Sequence, residues 1–126
     1  MAKSGRYSAD RKKVEALAAD KTVEVSDCGT CFPAAGGITI TLPSAANAGP
    51  GWWIRIAKSN GGGAISINDG GETLNGVGLD GDENVNLADA FAIHSSAQKG
   101  AWVEIWCDGT QYYAMGMAVH NNGFTA

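Results

Sequence analysis

The chain has 126 residues, 44% of them hydrophobic, with 18 glycines and a formal net charge of −4. That length and apolar content suit one domain with its own core and exclude a disordered chain. No apolar run approaches the ~18 residues of a membrane span, and no apolar segment follows the charged start as a secretory signal requires; synthesis in a cytoplasm, with no membrane contact, is the expectation.

The charge is split along the chain. Residues 1–21 hold six Lys or Arg against three acids, net +3, whereas residues 22–126 hold three against ten, net −7. The first part therefore reads as a basic N-terminal arm (1–21), carrying Lys3, Arg6, Arg11, Lys12 and Lys13, on an acidic body (22–126). The acidic body would repel a phosphate backbone, so the arm is expected to dock on protein and not on nucleic acid. Within it "SADRKKVEALAAD" (8–20) has a helical option, with Ser8 as N-cap and Val14, Leu17 and Ala18 on one face. So short a helix is unstable alone, so it orders against a partner or stays extended.

From residue 22 the hydrophobic period is two. "TVEV" (22–25), "ITITL" (38–42), "WIRIA" (53–57), "AISI" (64–67), "NVNLADAFAI" (84–93), "AWVEIWC" (101–107) and "QYYAMGMAV" (111–119) read as strands. Asn60-Gly61, Asp69-Gly70, Asn75-Gly76, Asp80-Gly81 and Asp108-Gly109 supply turn dipeptides that tolerate positive φ. The predicted fold is all-β: an antiparallel sandwich or barrel, jelly-roll- or immunoglobulin-like, spanning residues 22–126 behind the arm.

Motifs for chemistry are sparse. Cys28 and Cys31 have Cys-x-x-Cys spacing, but strand and turn follow them where a redox pair needs a helix N-terminus. A zinc site would have to recruit Cys107, His94 or His120, and no second ligand pair is present. The reading preferred is small residues in a turn, oxidised together or with Cys107 at most; no metal and no cofactor are expected. "LDGDENVN" matches a calcium loop only loosely and reads as a solvated acidic turn. Nucleophile elbows, phosphate loops and HExxH are all missing, so no catalytic residue is assigned and no enzyme is expected.

Four tryptophans remain. Trp52 and Trp53 must point to opposite faces, so at most one is core; the other is expected at a subunit interface or, less favoured, as a sugar platform. Trp102 and Trp106 share a face, expected to be the core face.

The order "ALAADKTVEVSDCGTCF … GITITLPSAANAGPGWWIRIAKSNGGGAISIN … GGETLNG … AWVEIWCDGTQYYAMG" resembles small structural and fibre domains of tailed bacteriophages. The residues that carry the resemblance are Asp27, Gly29, Phe32, Thr41, Leu42, Pro43, Gly49, Asn75, Gly76, Asp108, Gly109 and Tyr112 or Tyr113. Cysteine in "DCGTC", where the pattern has Ser-Gly-Lys, and a closing Tyr-Tyr depart from it. The resemblance implies a capsid decoration (cement) protein on the exterior of a virion head, made in the host cytoplasm. Its partners would be the major capsid protein and, in a homotrimer, itself, and its mechanism binding alone. A receptor- or glycan-binding module of a head or tail fibre is the alternative, and a small metal or redox domain built on the three cysteines the third.

Overall fold

The computed structural model describes residues 11–81, 84–120 and 123–125. Its strands are β1 (Lys13–Val14), β2 (Lys21–Thr22), β3 (Thr30–Ala34), β4 (Ile38–Thr41), β5 (Pro50–Lys58), β6 (Ile65–Asn68), β7 (Leu74–Leu79), β8 (Asn84–Ala88), β9 (Ala90–Ile93), β10 (Trp102–Asp108), β11 (Tyr112–Met117) and β12 (Phe124–Thr125). A 3-10 turn at Val25–Asp27 and one helical turn, α1 (Ala45–Ala48), complete the elements. Seven strands form one sheet in the order β1-β3-β5-β10-β11-β7-β8, and five form the other in the order β12-β9-β6-β4-β2. The alternating runs bury one set of side chains between the two sheets, which makes the molecule an all-β sandwich.

Purely antiparallel pairing was expected, and the sheets are mixed instead. β1 pairs β3 and β3 pairs β5 in parallel; β2, β4 and β6 do the same in the opposite sheet, and β7 runs parallel to β11. From β1 to β6 the chain changes sheet at every step, so equivalent strands of successive passes lie side by side, pointing the same way. A parallel neighbour needs a long crossover, usually a helix; here the strand of the opposite sheet serves. The winding therefore resembles a short β-solenoid and departs from the antiparallel order of jelly rolls and immunoglobulin domains. Antiparallel hairpins appear only later, at β7–β8 and β10–β11.

The helical option for residues 8–20 is not taken where the chain is described. Residues 11–20 contain no helix: β1 is extended, Leu17 bridges Ala34 in parallel, and Leu17 is buried while Val14 is exposed. The run 84–93 is two strands rather than one. Asp89, at φ 52°, breaks it and sends the chain from the larger sheet (β8) to the smaller (β9).

Asn75-Gly76, expected as a turn, lies inside β7. A Cβ on Gly76 would come within 2.3 Å of the Ala114 carbonyl oxygen, so glycine here permits close strand approach. Gly78 and Gly116 sit opposite each other in the β7–β11 register and leave a pit that Phe124, from the other sheet, fills.

Around the core, polar groups that leave water find partners. Trp52 is 2% exposed, meets Tyr112 edge-on (centroids 5.9 Å apart, planes at 69°), and its Nε1–H donates to the Val25 carbonyl at 3.0 Å. The buried Tyr112 hydroxyl donates to the Pro43 carbonyl at 2.6 Å, fixing the segment that opens α1. Ser44 caps that turn by accepting from the Asn47 amide, and the Glu72 carboxylate accepts from the Ala45 amide. Lys58, 1% exposed, donates from Nζ to the carbonyls of His94 and Ser95 at 3.1 and 2.7 Å. Burial pushes its ammonium below the usual lysine range.

Candidate binding face

With Ile54, Val103, Ile105, Ala114 and Leu74 turned inward, the other parity of the same strands covers the outer face of the seven-stranded sheet. Cross-strand register arranges those side chains in rows. Trp53, Trp106, Tyr113 and Asn75 form the first; Arg55, Glu104, Met115 and Val77 the second; Ala57, Trp102, Met117 and Leu79 the third. Trp106 is 45% exposed, Met115 64%, Met117 46%, Val77 48% and Leu79 41%, so one face carries most of the large exposed apolar side chains among the described residues.

Trp102 and Trp106 thus share a face as parity required, but it is the solvent face. Burying Val103, Ile105 and Cys107 leaves no room in the core for the tryptophans, and Glu104 between them marks the wet side. For Trp52 and Trp53 the expected division holds: Trp52 is core, whereas Trp53 is half-buried on the outer face. The expectation of a subunit interface therefore transfers to Trp53 alone, because Trp52 has no surface to offer.

Aromatic and cationic groups on this face are ordered by one another. Trp106 stacks on Tyr113 with centroids 4.5 Å apart and planes 22° off parallel. The Tyr113 hydroxyl donates to Asp108 at 3.0 Å and accepts from the Gln111 amide at 2.8 Å, while Asn75 donates to Gln111 at 3.1 Å. The hydrogen bond to the Asp108 carboxylate holds the Tyr113 phenol above the ordinary tyrosine range. The amides of Gln111 and Thr110, together with that phenol, hold the Asp108 carboxyl below its ordinary range. Between Trp106, Tyr113, Met115, Val77, Asn75 and Asn86 lies a shallow depression of about 470 Å³. Further along, Lys12 Nζ sits 5.0 Å from the Trp53 ring centroid, and the Arg55 guanidinium sits 5.2 Å from that of Trp102 while pairing with Glu104 at 3.2 Å. The ion pair is solvent-exposed and contributes little stability, ~0.2–1 kcal/mol at most.

The opposite outer face has another character. Thr39, Thr41, Ser66, Asn68, Ala90, Ala92 and Thr125 make it small and polar, with the Asp20 carboxylate accepting from the Thr39 amide at its β2 edge. The sandwich is two-sided: one broad face is aromatic and sulfur-rich, the other presents hydroxyls and methyls.

At the sheet edge, Arg11, Lys12 and Lys13 are exposed, and β1 pairs β3 on one side only. Lys13 Nζ donates to the Ser26 carbonyl at 3.5 Å. Lys21 pairs with Glu15 at 3.1 Å and Asp27 at 3.6 Å, and these carboxylates raise its pKa. The predicted arm residues Lys3 and Arg6 lie outside the described residues.

The three thiols are free. Cys31 points outward from β3, whereas Cys107 points inward from β10 and donates to the Ala45 carbonyl at 3.5 Å. The two lie on opposite faces of one sheet with β5 between them, so a Cys31–Cys107 disulfide is sterically excluded. Burial pushes the Cys107 thiol up, away from thiolate chemistry. His94 accepts at Nδ1 from the Ser96 amide at 3.0 Å, which closes its own loop. Among the described residues no three His, Cys, Asp or Glu side chains converge, and no helix is long and apolar enough to cross a membrane. No protein-family model, no curated protein and no solved structure matches the chain.

Proposed function

We propose that this protein is a viral structural protein of the capsid-decoration (cement) class, held on the outer surface of a tailed-phage head, which it stabilises by binding and without catalysis. The phage assignment rests on the sequence resemblance. The structural observation that carries the binding role is the cationic edge: Arg11, Lys12 and Lys13 are exposed at β1, a two-residue strand whose second side has no neighbour among the described strands. An open edge accepts a strand from a partner, and flanking positive charge selects an acidic one. The major capsid protein is the partner this reading names. Many copies, each bound modestly, would strengthen the shell through multivalency.

The test is co-sedimentation of the purified protein with heads that lack it. Combined charge reversal (Arg11→Glu, Lys12→Glu, Lys13→Glu) should abolish occupancy, and rising salt should weaken the unaltered protein because exposed charges are screened. Unchanged occupancy of the triple variant would overturn the role of the edge. A receptor- or glycan-binding fibre module is the second reading, favoured by the stacked Trp106–Tyr113 pair beside the amides of Asn75, Asn86 and Gln111. Specific retention of saccharides on an array, lost in Trp106→Ala, would support that reading instead.

A further inference from the structure

The apolar face of the larger sheet has a use distinct from the cationic edge. We infer that it is a self-association surface, and that its occupant is the same face of a second copy of this chain. Its centre is Trp106, Tyr113, Met115, Val77, Met117 and Leu79, contributed by three adjacent strands, β10, β11 and β7. The largest apolar patch on a soluble protein is often a functional surface, and among the described residues that patch is this face. Protein interfaces are enriched in Trp, Tyr, Met and Arg and depleted in Lys, Asp and Glu, and this face has that composition.

Charge selects the occupant. The chain is acidic overall, at −4, so two copies repel over most orientations. On this face Arg55 pairs with Glu104, and at its rim the Lys12 ammonium over Trp53 is offset by the Asp108 carboxylate beside Tyr113, so the face carries no net charge. It is thus a surface on which one copy meets another without burying like charges. A strongly basic or acidic partner would meet charges of both signs in balance there, and a saccharide would leave Met117 and Leu79 uncovered.

Size agrees. Five strands (β5, β10, β11, β7 and β8) at ~4.8 Å and three rows at ~6.8 Å span roughly 500 Å² in projection. With side-chain relief that is of the order of the ~800 Å² each partner contributes to a standard interface. A single self-complementary face closes as a two-fold pair, so the expected species is a dimer of face-packed sheets rather than a trimer.

Sedimentation velocity of the full chain over a dilution series tests this without any capsid, so its failure and that of the decoration proposal are separable. The unaltered protein should sediment as a dimer that dissociates on dilution. Met115→Glu, which places a charge at the centre of the face, should sediment as a monomer with an unchanged circular-dichroism spectrum. Val119→Glu, a charge at an exposed apolar position outside the three rows, should remain dimeric. A monomeric unaltered protein at every concentration would overturn the inference, as would a dimer that Met115→Glu leaves intact. If Met115→Glu fails to fold, the milder Met117→Gln with Val77→Thr must weaken the dimer at least about tenfold, the loss of one ordinary hot spot; no weakening would equally overturn it.

Discussion

One methyl group added at Gly78 should loosen the C-terminal strand, while the same group at Gly116 should break the centre of the larger sheet. Both glycines face the core, paired across β7 and β11, with the Phe124 ring over them. A Cβ at Gly78 would lie 2.7 Å from Phe124 Cδ2 and 3.0 Å from Cγ. Carbon atoms prefer ~3.5–4.0 Å, so the ring must retreat by about 1 Å. It can, because β12 is only two residues long and sits at the edge of its sheet. The cost is bounded by undocking Phe124, ~1.5–3 kcal/mol. At Gly116 the added Cβ meets the Trp102 carbonyl oxygen at 2.5 Å as well as Phe124 Cζ at 2.9 Å. That oxygen belongs to β10, held between β5 and β11, and cannot move without opening the ladder. The expected loss there exceeds ~3 kcal/mol. Urea unfolding followed by tryptophan fluorescence measures both, and Phe124→Leu in each background separates them. Gly78→Ala should be partly rescued, with a coupling of about 1 kcal/mol, whereas Gly116→Ala should not. Strict additivity at Gly78, or a neutral Gly116→Ala, would refute the pit.

Other expectations follow from buried polar groups. Burial holds the Tyr112 phenol above its unfolded value of ~10, so the folded state keeps a proton that the unfolded chain loses. Stability is then fully present below about pH 10 and falls as pH rises further; Tyr112→Phe should flatten that alkaline slope in thermal melts, at a cost of ~1 kcal/mol near neutrality for the lost bond to Pro43. Lys58→Met keeps the stem but orphans the carbonyls of His94 and Ser95; a loss of ~1–3 kcal/mol and faster amide exchange across residues 94–101 are expected, and unchanged exchange would argue against the clamp. Cys28→Ser with Cys31→Ser should leave the melting transition and zinc content unaltered, whereas stoichiometric zinc in the parent protein by elemental analysis would restore the metal reading.

The fold class was legible because β4, β5, β6, β10 and β11 alternate with period two, and parity alone placed Trp52 and Trp53 on opposite faces. Strand order was not, because turn dipeptides report only neighbours joined by a hairpin, and the solenoid-like passes of β1 to β6 are set by tertiary packing. Asn75-Gly76 misled for a related reason: the same dipeptide serves a tight turn and a close strand approach. In "AWVEIWC" both faces carry large apolar side chains, so hydrophobicity gave little contrast. Glu104, in register with Arg55 of β5, was the available signal that Trp102 and Trp106 face outward. Deleting residues 1–21 as a dispensable arm would remove β1 and the buried Leu17, which makes charge reversal at Arg11, Lys12 and Lys13 the cleaner perturbation.

On the decoration proposal the chain belongs to a tailed phage, and the most direct test is cryo-electron microscopy of that phage's virions prepared with and without the gene for this chain. The expected result is regularly spaced β-sandwich density on the outside of the head, missing in the deletion particles, with the basic edge strand against the capsid shell. Heads that look identical in the two preparations, or density confined to the tail, would contradict it.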